Sequence, residues 1–148
     1  MTVFALALAL MTSALAQDTV EVRTPLGQVI QAEVVKAPAA GTVEDSVLQS
    51  LKMIQAKEFD AWIATWCHES RCPVDPQARE EFKGYNLTAA SRTAHECLQE
   101  GDALWVTNRK TDDRGATTVY LFCGEKRMPS PSTHIQVGER WQVSSFSW

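Results

Sequence analysis

From residue 42 on, the apolar residues of this chain change their spacing once, near residue 100, and that change limits the fold more than any other feature. Before it they recur at helical intervals. Val43, Val47, Leu48, Leu51 and Ile54 line one face of a helix over residues 42–54, with Thr42 as N-cap and Glu44 and Asp45 in the first turn. Phe59, Trp62, Ile63 and Trp66 then stand at i, i+3, i+4 and i+7, so the helix resumes after a bend near Lys57-Glu58. Residues 67–76, with two cysteines, a serine and two prolines, read as a loop. Short helices are expected over residues 77–82 and 87–98, the second capped by Asn86.

After residue 102 the texture becomes that of strands. Residues 104–108 and 117–123 flank the polar turn Thr111-Asp112-Asp113-Arg114-Gly115 and predict a hairpin. Residues 133–137 and 140–148 flank Gly138-Glu139, a two-residue loop with glycine first, as a type II′ turn requires. Trp141 and Val143 share one face of the last strand, whereas Phe146 and Trp148 fall on the other. Either both faces are covered or Ser144-Ser145 holds a bulge that switches sides. Helices followed by antiparallel strands define an α+β domain over residues 42–148. Ahead of it, residues 17–41 form an extended arm and linker. Residues 19–23 and 28–35 are β-rich and could be strands or a loosely held arm, with Ala37-Pro38-Ala39-Ala40-Gly41 leading into the domain.

The first 16 residues read as a signal peptide. An apolar run over residues 3–15 ends in Ala14-Leu15-Ala16, an Ala-x-Ala pattern that places cleavage after Ala16, although no Lys or Arg precedes the run. The expected location is therefore periplasmic or secreted, with no stable membrane insertion once the segment is removed. An oxidising compartment makes four cysteines a disulfide framework, and we favour Cys67–Cys72 and Cys97–Cys123 among three pairings. Their spacing lacks the close knuckles of structural zinc, so no metal is expected. A net charge of −4 argues against nucleic acid as a partner.

The capped helix over residues 42–54, the following Lys57-Glu58-Phe59-Asp60-Ala61-Trp62 and the closing Gly138-Glu139-Arg140-Trp141-Gln142-Val143 resemble the nuclear-transport-factor-2-like (cystatin-like) superfamily. The resemblance covers residues 42–148. It implies N-terminal helices packed on a curved antiparallel sheet, forming a cone whose mouth holds a small apolar ligand. Isomerases of that superfamily use a tyrosine on the first helix, and here that helix has none; Tyr85 and Tyr120 are the only two.

The functional expectation is thus a non-catalytic domain that binds a small apolar molecule or a protein partner, with no cofactor and no catalytic residue assigned. Trp62, Trp66, Trp105, Tyr120 and Trp141 are the candidate pocket residues, although each tryptophan is first a core residue. Two rivals stand beside this reading. One is a thiol–disulfide oxidoreductase using Cys67 and Cys72, since Trp66-Cys67 resembles the lead-in to a thioredoxin-like site, with the second cysteine four residues on instead of two. The other is an isomerase- or dehydratase-like enzyme, which needs a buried acid or histidine facing the cone. The histidines are His68, His95 and His134, with His68 singled out for its place beside Cys67. A homodimer is left open.

Overall fold

Strand-forming segments at both ends of the chain meet in one antiparallel sheet, with the helices inserted between the second strand and the third. The structure, a computed structural model, describes residues 17–148, so the signal peptide and its cleavage point lie outside the described residues. The strands are β1 (Thr19–Arg23), β2 (Val29–Val35), β3 (Leu104–Thr111), β4 (Thr117–Leu121), β5 (Ser130–Val137) and β6 (Arg140–Phe146), and they lie side by side in chain order. The two β-rich stretches before residue 41 are therefore paired strands: β1 pairs with β2, and β2 continues onto β3 through Glu33, Val34 and Val35.

Helix α1 (Val43–Gln55) starts where its cap predicts, with the Asp45 N–H donating to Thr42 Oγ1 at 3.3 Å. It breaks at Lys57, whose φ of 59° leaves the helical region, and α2 (Phe59–Thr65) follows. Helix α3 (Pro76–Phe82) is capped by Asp75, which accepts from the Ala78 N–H at 2.9 Å, with proline in its first turn. The next helix, α4 (Thr88–Cys97), does not start afresh. A π-helical turn, Lys83–Leu87, joins α3 to α4, and Asn86 lies inside it. The expected Asn86 cap is thus corrected: a helix that continues has no free N-terminal N–H groups to satisfy.

Strand alternation divides the apolar residues between two faces. Leu104, Val106, Val119, Leu121 and Val143 pack against Val47, Leu51 and Ile54 of α1 and against Trp62 of α2 in the main core. Ala90 and Ala94, both buried and small, bring α4 against α1. The opposite face carries a second cluster of Val22, Ala32 and Phe122, with Val20, Ile30 and Trp105 at its margin. We call these the inner and outer faces.

Two bulges adjust this alternation. In β6 the register slips at Ser144, because Thr133 pairs with Ser145 while His134 pairs with Val143. The bulge is the second of the two sequence alternatives, and it returns Phe146 and Trp148 to the core side. Phe146 stacks on Trp148 at 4.4 Å between ring centroids and meets Trp62 edge-on at 5.8 Å. In β3 the slip falls at Thr107, and the strand then runs on to Thr111, beyond its predicted end at 108. Among the described residues no helix is long and apolar enough to cross a membrane.

Candidate functional site

Polar side chains on the inner face converge on His134. Alternation along β5 turns Ser130, Ser132 and His134 toward the helices, and all three are buried. Ser132 Oγ lies 2.8 Å from Nε2 of His134, and Ser46 Oγ, from the first turns of α1, lies 3.1 Å from Nδ1. Ser46 also donates to the Trp141 carbonyl at 2.7 Å. That bond uses the only Ser46 proton, so at Nδ1 the hydroxyl accepts and the ring donates; Nε2 then accepts from Ser132. The ring is fully enclosed, and burial pushes its pKa down to about 3, so it is neutral at physiological pH. Both nitrogens are engaged and neither faces solvent. The arrangement orients β5 against α1.

Beside it, Arg109 joins three elements. The bulge at Thr107 turns Arg109 to the inner face, where its guanidinium bonds Glu33 of β2 at 2.7 Å and Glu44 of α1. Burial works against its charge, but the hydrogen bonds it donates to Glu33 and Glu44 outweigh that and raise its pKa above the usual arginine value. The same bulge sends Asn108 and Lys110 to the outer face.

There the sheet holds an open groove of about 380 Å³. Ile30, Thr107 and Tyr120 come from β2, β3 and β4, while Met128 and Pro129 come from the β4–β5 connection. Thr24, Gln28 and Asn108 add hydrogen-bonding groups. Met128 is half exposed, and Lys110 Nζ stands 5.6 Å from the centroid of the Tyr120 ring. A second groove on this face, of about 500 Å³, is lined by Trp105 with Val20, Val34 and Lys36.

The chain matches no family model, no curated protein and no solved structure.

The five candidate pocket residues do not gather at one place. Trp62 is enclosed in the main core; Trp66, partly buried against that core, donates from Nε1 to the Met53 sulfur at 3.0 Å. Trp141 is half-buried on the same side. Trp105 lies across the sheet, stacked on Phe122 at 5.7 Å, and Tyr120 lines the outer groove.

The cysteines form two pairs, Cys67–Cys72 and Cys97–Cys123, with Cα–Cα distances of 5.9 and 4.0 Å, and none is free among the described residues. Cys67 follows the C-terminal end of α2, with Trp66 as C-cap. A helix C-terminus carries negative partial charge, which disfavours the thiolate that disulfide exchange requires. Two disulfides, with no membrane-crossing helix among the described residues, are compatible with an extracellular or periplasmic protein.

Of the histidines, His68 bonds Ser70 at 2.7 Å in the disulfide loop and His95 is exposed on α4. His134 was not distinguished by sequence. The available signal was the alternation Ser130-x-Ser132-x-His134, which places three polar residues on one face of a strand.

Proposed function

We propose that this is an exported, non-catalytic binding domain of the nuclear-transport-factor-2-like type, and that its ligand face is the outer face of the sheet. Helices layered on an antiparallel sheet with two bulges support the superfamily reading, since bulges bend and twist the strands that carry them. The carrying observation is the groove lined by Ile30, Tyr120, Met128 and Pro129 together with the hydrogen-bonding side chains of Thr24, Gln28 and Asn108. Its volume falls in the range of small-molecule sites, and methionine with tyrosine adapts to varied apolar shapes. The inner face is filled by Trp62, Phe146 and Trp148, and His134 is enclosed by serines, which favours a non-catalytic role. The ligand class is a small apolar molecule bearing one or two polar atoms.

The test titrates the apolar fluorophore anilinonaphthalene sulfonate into the purified protein. We expect saturable enhancement that is lost in Met128→Glu and in Tyr120→Ser, with the melting temperature little changed. No enhancement with the wild type, or enhancement that survives both substitutions, would overturn the assignment.

A further inference from the structure

The sheet has two edges, and among the described residues the chain closes only one of them. At β6 the Val143 N–H donates to the Trp66 carbonyl at 2.6 Å, and the His68 N–H donates to the Val143 carbonyl at 2.9 Å. Ser46 takes the Trp141 carbonyl. The Cys67–Cys72 loop and α1 thus cap that edge.

At β1 nothing comparable is present among the described residues. The Asp18 carbonyl accepts from the Val34 N–H at 2.7 Å, and the Thr24 N–H donates to the Gln28 carbonyl at 2.9 Å. Even-numbered residues of β1 therefore direct their backbone groups into β2. The odd-numbered residues Thr19, Glu21 and Arg23 direct theirs outward, as the antiparallel pattern requires. A short, charged strand blunts an edge against chance pairing. The spacing of these charges does something more specific.

We propose that β1 pairs antiparallel with β1 of a second copy of this chain about a two-fold axis through Val22, giving one continuous sheet across a homodimer. In that register Glu21 stands opposite Arg23 of the second copy and Arg23 opposite its Glu21. The outward N–H and C=O groups of both residues are then matched. Centring the axis on Glu21 or on Arg23 instead sets like charges directly opposite, which is unfavourable. Two further features fit. Val22, on the outer face, would extend its apolar cluster toward the second copy's Val22. The bonds that now hold the two charged side chains, Gln31 to Glu21 and Arg23 to the Gly27 carbonyl, are both 3.5 Å long and easily exchanged. Pro25, lacking an N–H, ends the ladder beyond Thr24. So small an interface makes the dimer weak and dependent on concentration.

Sedimentation velocity over a roughly thousandfold dilution series is the measurement. The wild type should dimerise at the concentrated end. Glu21→Arg and Arg23→Glu should each weaken association by at least about tenfold, because each places two like-charge pairs in the interface. The double swap Glu21→Arg/Arg23→Glu should restore it, since both pairs reform with reversed sign. Glu21→Pro removes one outward N–H without touching the β1–β2 ladder, and should give a monomer of unchanged melting temperature. A monomer throughout the wild-type series overturns the proposal. So does a dimer indifferent to Glu21→Pro and both charge reversals, or a double swap that stays monomeric.

Discussion

A histidine held between two serine hydroxyls, with no acid beside it among its hydrogen-bond partners, stays in place only while uncharged. His134 has its pKa pushed down to about 3 by burial, against about 6.5 in an unfolded chain. Between those values the unfolded state binds the extra proton, so stability is full above about pH 6.5 and falls as pH drops toward 3. The loss from this one group approaches about 1.4 kcal/mol per pH unit in mid-window. Urea unfolding at pH 7 and pH 4.5 should show it, and His134→Gln, which keeps a donor and an acceptor but does not titrate, should flatten the difference. Equal slopes in the two proteins would place the acid sensitivity elsewhere. This role was hard to read from sequence for a physical reason. Ser46, which fixes the ring tautomer, lies 88 residues earlier, and a polar Ser-x-Ser-x-His face normally marks the solvated side of a strand.

The same limit governs which elements were legible. Helix α1 was readable because its cap and apolar face are both local, and the β6 bulge was one of two open readings because apolar residues change parity between Val143 and Phe146. The β3 bulge left no such trace. Beyond Thr107 the strand reads Asn108-Arg109-Lys110-Thr111, all polar, so a register shift breaks no pattern. Yet that bulge decides that Arg109 meets Glu33 and Glu44 and that Lys110 reaches Tyr120. The π turn was equally silent, because a helix that absorbs one extra residue needs no stop signal. Turn chemistry, by contrast, is local and was legible. Val137 pairs with Arg140 across Gly138-Glu139, and Gly138 takes a φ of 63°. A Cβ at Gly138 would meet nothing within 4 Å, so Gly138→Ala tests backbone conformation alone. It should cost about 1 kcal/mol, seen as a lower urea midpoint with unchanged slope. A neutral substitution would mean that the turn readily adopts another geometry.

At the scale of the whole molecule, the two disulfides do different work. Cys97–Cys123 joins the end of α4 to the residues just after β4, so it ties the helical layer to the sheet across a separation of 26 residues. Cys67–Cys72 spans 5 residues and holds the loop whose backbone bonds close the β6 edge. Chain entropy assigns about 3–4 kcal/mol to the longer link and about 2 kcal/mol to the shorter. Packing widens that gap, because Cys97 and Cys123 are both fully buried and their removal also leaves unfilled core volume. Cys97→Ala/Cys123→Ala should therefore lower the melting temperature more than Cys67→Ser/Cys72→Ser. The exchange pattern should separate them further. Losing the short link frees the Trp66–His68 backbone from Val143, so the Val143 amide should exchange with solvent ahead of the rest of the sheet, whereas losing the long link should speed exchange across α4 and the sheet together. If both double variants melt alike and neither changes exchange at Val143, the β6 edge is held by packing of Trp66 alone, and the loop disulfide has no part in closing it.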